Sequence, residues 1–232
     1  MRTVTATDAD RPVDHRRAVV IGAGPGLGAG IARRFAREGF ALTLVARSQE
    51  TLDAVAGELR ATGATVDTAT ADAGDPAAFR AALTALAEQV APGVVVYNVG
   101  LVVSDGLLTS DEAHLVHALT VDVVGALTAA QVFTPAMRAA GRGSFLVTGG
   151  GPALHPDPEH GTLTIGKSAL RSAVTVLHEE LADDGVHVAS VTVVGVIAPG
   201  TALDPDVLAE EYWRLHAQPR GGWAVDAVVD GR

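Results

Sequence analysis

Four glycines stand close together between an apolar stretch and an amphipathic stretch near the start of the chain. In the segment VVIGAGPGLGAGIARRF they are Gly22, Gly24, Gly26 and Gly28, with Leu27 between the last two. Glycine lets a backbone turn tightly and approach a pyrophosphate, whose charge then faces the free N–H groups of a helix N-terminus. The spacing predicts a dinucleotide-binding turn formed by these five residues, and a purely structural turn between a strand and a helix is the alternative.

An arginine follows the next apolar stretch, ALTLVA. Dinucleotide-binding folds recognise the ribose 2′ position at the end of the second strand, with an acid for the hydroxyl of NAD or a base for the phosphate of NADP. Arg47 occupies this place, and the surrounding segment VARS contains no acid. A guanidinium makes bidentate, charge-assisted hydrogen bonds to phosphate. We therefore expect NADP rather than NAD as the cofactor, unless Arg47 is an ordinary surface residue.

Lys167 is the only lysine in a chain with 17 basic residues, all the others being arginine. Because the chain otherwise uses arginine for its basic residues, this single lysine is a candidate functional residue. The polar segment before it, HPDPEHG, contains His155, Glu159 and His160. Imidazole titrates near neutrality and can donate a proton, so the two histidines are candidate catalytic residues. Solvated positions in a proline-rich turn are the alternative for all three.

The elements that must position these residues alternate along the chain. Short apolar runs typical of buried strands alternate with helical patterns, as expected for a parallel sheet with helices on both faces. The predicted strands are residues 17–21, 41–46, 65–71, 93–97, 144–148 and 186–194, with a further one at 224–229. Helical patterns cover residues 26–38, 48–62, 75–90, 162–183 and 206–216, and two more lie within 110–141. Right-handed crossovers give an α/β fold with a doubly wound parallel sheet, the Rossmann fold.

The sequence predicts one domain preceded by a short tail. Residues 1–15 lack the apolar segment of a secretory signal and are expected to be a disordered tail. Residues 16–232 contain no repeat and no linker, so they are expected to form one NAD(P)-binding domain. Residues 198–223 gather Tyr212, Trp213 and His216 in an aromatic-poor chain, which predicts a lid with Tyr212 as a candidate catalytic residue. Packing of this segment against the body or a partner subunit is the alternative.

Composition narrows the classes of partner. A net charge of -10 argues against non-specific nucleic-acid binding, and a small molecule is the expected partner. No apolar run approaches the roughly 20 residues that span a membrane. The absence of cysteine excludes a thiolate metal site and fits a cytoplasmic protein. No metal-ligand motif is present, so no metal is expected.

Together these motifs resemble the short-chain dehydrogenase/reductase family, and the resemblance runs from about residue 18 to 194. Gly22, Gly26 and Gly28 are similar to its G-x-x-x-G-x-G turn. The resemblance implies that Asp72 contacts the adenine. It further implies that the segment YNVG, with Asn98 and Gly100, supports the sheet and lies beside the cofactor ribose. The fold and the nicotinamide cofactor are implied with them.

The family's catalytic residues are matched only in part. Its Tyr-x-x-x-Lys pair implies that Lys167 binds the nicotinamide ribose, but Leu163 stands where the tyrosine is expected. The segment TGGG, with Gly150, stands where the serine is expected, and Asp122 stands where the asparagine is expected. A general acid is typically worth about 10²–10⁴ in rate, so another group must donate the proton if reduction is retained. His160 is the first candidate for this donor, and His155 and Tyr212 are others.

Three hypotheses follow for the function. The first is an NADP-dependent oxidoreductase acting on a small carbonyl or alcohol compound, with a non-standard proton donor. The second is a dinucleotide-binding protein without redox chemistry, serving as a regulator or partner subunit. The third is an isomerase, cyclase or lyase that reuses the pocket, with Asp122 and the histidines as its only support.

Self-association is also implied by the resemblance, since members of this family pair through two helices as homodimers or homotetramers. Small and apolar side chains on residues 119–140 and 169–181 are the expected contacts, namely Val121, Val124, Ala129, Ala169, Ala173 and Val176. Packing of these side chains on the chain's own sheet is the alternative.

Overall fold

A computed structural model of the chain describes residues 12–231. Seven strands and seven α-helices follow one another along it: β1 (Asp14–Ile21), α1 (Leu27–Arg37), β2 (Ala41–Ala46), α2 (Gln49–Ala61), β3 (Val66–Thr70), α3 (Pro76–Ala87), β4 (Pro92–Tyr97), α4 (Glu112–Leu119), α5 (Gly125–Ala139), β5 (Gly143–Gly150), α6 (Gly161–Leu181), β6 (Val186–Val194), α7 (Pro205–His216) and β7 (Asp226–Asp230). Because β1 begins at Asp14, the predicted tail is too long at its carboxyl end. The rest of that prediction, residues 1–11, lies outside the described residues.

The strands form one parallel sheet in the order β3-β2-β1-β4-β5-β6-β7. The order reverses between β1 and β4, so the connections after these two strands diverge and leave a crevice at their carboxyl ends. This is the doubly wound Rossmann architecture, and the predicted fold class is confirmed. Most of the residues predicted to bind the cofactor follow the carboxyl ends of β1, β2, β3 and β4.

Two apolar cores cover the two faces of the sheet. On one face, side chains of α1, α2 and α7 pack on β1, β2 and β6 around Phe35 and Leu208. On the other face, α3, α5 and α6 pack around Phe79, Phe133 and Leu170. Strand β4 is buried along its whole length, as its valine run indicated.

One long helical run replaces the two separate helices expected between residues 110 and 141. A π-helical turn, Thr120–Val124, joins α4 to α5 without a break. The run Glu112–Ala139 is long and apolar enough to cross a membrane by length and composition, but 44% of its most apolar window is buried inside the protein. Val121 and Ala129, two of the expected partner contacts, are 7% and 0% exposed, so they pack within the chain itself.

Helix α7 is not the lid that the aromatic residues suggested. Tyr212 is fully buried, and Trp213 lies edge-on to Phe35 at a centroid distance of 5.7 Å. Ion pairs between the two helices, such as Arg34 Nε to Glu210 Oε2 at 2.6 Å, fix α7 on α1. These aromatic residues fill the core beside α1. The segment therefore packs against the body of the protein, which is the alternative stated from the sequence.

Candidate active site

The glycine turn has two glycines that are required by packing and two that face open space. Gly22 has φ +87°, and a Cβ there would lie 2.2 Å from the carbonyl oxygen of Asn98. A Cβ on Gly28 would lie 2.3 Å from the carbonyl oxygen of Gly22. At Gly24 and Gly26, in contrast, a Cβ would meet nothing within 4 Å. Gly22 and Gly28 are thus required by the shape of the turn. Gly24 and Gly26 leave the backbone accessible to a ligand.

The N-terminus of α1 is open to an anion. Gly26 is its N-cap residue and contributes no side-chain hydrogen bond, and the first turn contains no acid. The amide groups of a first helical turn have no acceptor within the helix and carry partial positive charge. The turn therefore has the form of a pyrophosphate cradle, with Leu27 as the first helical residue.

A cavity of about 350 Å³ extends from this turn toward the ends of β2 and β3. Arg47, Ser48, Asp72 and His117 line it. The exposed Arg47 side chain makes no hydrogen bond or ion pair to the described residues, so its guanidinium is available to a ligand. One carboxylate oxygen of Asp72 accepts a hydrogen bond of 2.9 Å from the Gly74 amide, which fixes its orientation.

A second cavity, of about 690 Å³, adjoins the first at Asn98, Val99 and Gly100. Its other lining residues come from α1, β5, β6, α6 and the segment before α6, and include Leu27, Thr148, Gly150, His155, Asp157, His160, Leu163 and Lys167. The structure thus brings together all the predicted cofactor residues except Gly26 and Gly28, which form the turn beside the two cavities.

Lys167 lies on the floor where the two cavities meet. Its Nζ donates hydrogen bonds to the carbonyl oxygens of Val99 at 3.1 Å and Thr148 at 3.3 Å. Asp122 projects from the π-helical turn, and its Oδ1 lies 3.3 Å from Nζ. A Cβ on Gly166 would lie 2.7 Å from Asp122 Oδ2, so this glycine makes room for the carboxylate.

The Asp122 carboxylate is fully buried, and neither oxygen meets full hydrogen-bond geometry with the described residues. Burial raises the pKa of the Asp122 carboxyl, while the charge of Lys167 and the nearby Leu101 amide oppose that shift. The ion pair with Asp122 therefore holds the Lys167 ammonium in place. Asp122 itself does not line either cavity.

Tyr212 supports the floor from the opposite side of the sheet. Its hydroxyl lies 2.7 Å from Thr148 Oγ1, which in turn donates to Asn98 Oδ1 at 2.7 Å. Asn98 Nδ2 donates to the carbonyl oxygen of Gly22 at 3.0 Å. The predicted role of Tyr212 as a lid residue or proton donor is wrong, because its side chain is buried behind Thr148 and lines neither cavity. Its contribution is to connect the floor to the glycine turn.

Leu163 and Gly150, at the positions where the resemblance implied a tyrosine and a serine, carry no hydroxyl group. Leu163 is 7% exposed and presents an apolar side chain to the second cavity. His160 precedes α6 as its N-cap residue, and its Nδ1 lies 2.8 Å from Asp157 Oδ2. Nε2 of this histidine makes no hydrogen bond to the described residues. His155 is exposed at the rim of the same cavity.

Two acidic residues near this cavity were not predicted from the sequence. Asp157 is ionised, since the Glu159 amide and His160 lower its pKa, and its spacing of three residues from His160 was a usable signal. Asp105 accepts hydrogen bonds from the Thr162 amide and hydroxyl and from His114, and despite its desolvation these lower its pKa to about 2. It ties the loop after β4 to α6, a long-range pairing for which the sequence has no signal.

Comparison with known proteins places this architecture in a family. The family model described as short chain dehydrogenase matches residues 16–207. Galactitol 2-dehydrogenase (L-tagatose-forming) of Cereibacter sphaeroides is 33% identical over 191 residues, which cover 81% of this chain and 72% of the relative. Very-long-chain 3-oxoacyl-CoA reductase of Aspergillus oryzae is 32% identical over 177 residues, 74% of this chain. The chain spans about half the length of this second relative.

Solved structures share the whole fold. A metagenomic short-chain oxidoreductase in complex with NADP superimposes with a TM-score of 0.85 and 28% identity, covering 94% of this chain and 97% of the other. The family model matches more than half of the chain. The protein therefore belongs to the short-chain dehydrogenase/reductase family.

Proposed function

We propose that the chain is an NADP(H)-dependent oxidoreductase that acts on a small carbonyl or alcohol compound. One observation carries the proposal: a continuous crevice has an unpaired arginine, Arg47, in one part and the Lys167 ammonium in the other. The adenosine and nicotinamide halves of a dinucleotide need anchors of this kind on either side of a pyrophosphate cradle.

The residues present fit NADP(H) in particular. The open N-terminus of α1 and the bare backbone at Gly24 and Gly26 suit the pyrophosphate. Arg47 suits a 2′-phosphate, and the end of β2 offers no acid to a ribose hydroxyl. The NADP complex of the metagenomic relative supports the same assignment.

The catalytic site is atypical in this proposal, because Leu163 and Gly150 replace the tyrosine and serine of the family. NADPH held in the crevice would supply the hydride for reduction of the carbonyl compound. His160 Nε2 gives a proton to the carbonyl oxygen, while Asp157 holds Nδ1 and stabilises the protonated ring. Lys167 orients the nicotinamide ribose, and Asp122 positions Lys167.

The cofactor is tested by calorimetric titration with NADPH and with NADH. Tight NADPH binding should weaken at least about tenfold in Arg47→Ala, because one charge-assisted phosphate contact is lost. NADH binding should stay within about twofold. Arg80→Gln, which changes an exposed arginine on α3, is the control. Absence of binding to either cofactor would overturn the proposal.

The proton donor is tested by steady-state turnover with NADPH and, as first substrates, a 3-oxoacyl-CoA and L-tagatose. His160→Gln should lower kcat by about 100-fold or more and remove the pH dependence due to the donor. His155→Gln, at the rim of the same cavity, is the matched control. Equal turnover in both variants and in the unmodified protein would exclude His160.

A second candidate, an NADP(H)-binding protein without redox chemistry, is favoured by the apolar Leu163 side chain beside Lys167. It predicts no turnover in the native chain and measurable carbonyl reduction after Gly150→Ser and Leu163→Tyr together. A Cβ on Gly150 would lie 3.3 Å from Lys167 Cγ, so the serine fits after a small shift. No gain in this double variant would count against the second candidate.

A further inference from the structure

A third cavity, of about 520 Å³, lies at the end of the sheet opposite to the crevice. Gly93, Gly143 and His187, close to the first residues of β4, β5 and β6, line it, together with residues that follow α7. We refer to it as the amino-end cavity. Its size is within the range of pockets that hold small ligands.

Every ionisable residue that lines the amino-end cavity is basic. His15, Arg142, His187, His216 and Arg220 contribute to its walls, and no Asp or Glu among the described residues does. In a chain with a net charge of -10, this concentration of basic groups is a local exception. A cavity with this lining attracts anions.

The cationic groups here lack carboxylate partners within the described part of the chain. The exposed Arg142 guanidinium makes no hydrogen bond or ion pair there, and Arg220 donates only to backbone oxygens, at 2.6 Å to Asp183 and 3.4 Å to Ala182. Burial lowers the pKa of His216 to about 4, and the charges of Arg142 and His187 contribute. The positive charge of the cavity is therefore that of Arg142 and Arg220, and His216 is neutral at neutral pH.

One ring nitrogen of His216 is free to bind a ligand. His216 Nδ1 is engaged with Ser144 Oγ at 2.9 Å, which leaves Nε2 without a hydrogen bond to the described residues. Both ring nitrogens of His187 lie at carbonyl oxygens, 3.0 Å from Leu215 and 2.9 Å from Ala224. Burial nevertheless lowers the pKa of His187, so this ring is a wall of the cavity and not a source of positive charge.

Two indole rings give the cavity flat apolar walls. Trp223 stacks on His187 with a centroid distance of 4.9 Å and an interplanar angle of 1°. Trp213 lines the opposite part of the cavity and is half-buried against Phe35. Both indoles are half-buried, and the Arg34 guanidinium lies 4.7 Å from the centroid of the Trp213 ring, so the remaining open part of each ring is what a planar aromatic partner would contact.

We propose that the amino-end cavity is a second ligand site, which takes a small carboxylate or phosphate carried on an aromatic ring. Arg142 and His216 bind the anionic group, and Trp213 and Trp223 contact the ring. This site is separate from the cofactor crevice, because it lies at the other end of the parallel strands.

Tryptophan fluorescence tests the proposal directly, since the chain has only two tryptophans and both line this cavity. The purified protein is titrated with phenyl phosphate, benzoate, inorganic phosphate and phenol. A saturable change with phenyl phosphate or benzoate is expected, at least about fivefold tighter than with inorganic phosphate and absent with phenol. The tighter of the two aromatic anions identifies the preferred group.

Variants localise the binding. Arg142→Gln should weaken it at least about fivefold, as expected for one charge-assisted contact at an exposed site, whereas Arg80→Gln should leave it unchanged. Arg47→Ala should also leave the binding unchanged. If phenyl phosphate bound in the cofactor crevice instead, this variant would lose the binding. No saturation up to about 10 mM, equal binding in Arg142→Gln, or loss in Arg47→Ala would overturn the proposal.

Discussion

At the scale of single residues, the sharpest feature is the buried pair of Lys167 and Asp122. Their contact at 3.3 Å replaces the solvation that both charges lose on burial. Removing one partner leaves the other uncompensated, and the remaining carboxyl then favours its protonated form. The ion pair therefore stabilises the fold, and it also positions Lys167 on the floor of the crevice.

We expect Lys167→Met to lower the free energy of unfolding by about 3 kcal/mol at neutral pH. Without the ammonium, the folded-state pKa of Asp122 rises further above its unfolded value. The variant should therefore lose stability as the pH rises above about 4, the usual range of an aspartate. Urea unfolding followed by circular dichroism measures this, and the double variant with Asp122→Asn should lack the slope.

A second residue-scale prediction concerns His216, whose pKa falls from 6.5 to about 4 in the folded chain. Because the unfolded chain binds a proton more readily, stability should fall as the pH drops from 6.5 to 4, by about 2 kcal/mol. His216→Gln should show a smaller fall over this window. Parallel unfolding curves for the two proteins, in buffers without phosphate, would show that the histidine does not titrate in this way.

At the scale of elements, the turn between β1 and α1 contains one glycine that the fold requires and another that we expect to matter only for cofactor binding. Gly22→Ala places a Cβ 2.2 Å from a backbone oxygen at φ +87°, and should cost about 2–4 kcal/mol of stability. Gly24→Ala meets open space and should change stability by less than about 0.5 kcal/mol. It should nevertheless weaken NADPH binding at least about tenfold. Thermal unfolding and calorimetry on the same two variants distinguish these outcomes.

At the scale of the whole molecule, apolar side chains remain exposed on α4, on the π-helical turn that follows it and on α6. Val124 and Val176 are 43% and 53% exposed, and Val116 is 63% exposed. An unpartnered apolar surface of this kind is typical of a subunit contact. We expect a homodimer or homotetramer that buries these side chains.

Sedimentation velocity at micromolar concentration tests the association. Val124→Asp and Val176→Asp should raise the dissociation constant at least about tenfold, because each would bury a charge in the contact. Val207→Asp, on the exposed side of α7 at 55% exposure, is the matched control. A monomer in the unmodified protein would exclude the expected contact.

Local patterns were enough to predict the order of strands and helices, since period and turn residues are local properties. They were also enough to predict the glycine turn and to single out Lys167 and Arg47, because each belongs to a short motif with its own physical reason. These features were sufficient for the fold class and for the residues around the cofactor crevice.

Which side chains contact one another depends on how the helices and strands pack. The sequence indicated that Tyr212 and Trp213 form a lid, but the burial of their rings against Phe35 and behind Thr148 depends on how α7 packs on α1. The same holds for Asp105 and Thr162, which are 57 positions apart, and for the basic residues of the amino-end cavity. Contacts between distant segments arise from the winding of the sheet, and no local pattern in the chain encodes them.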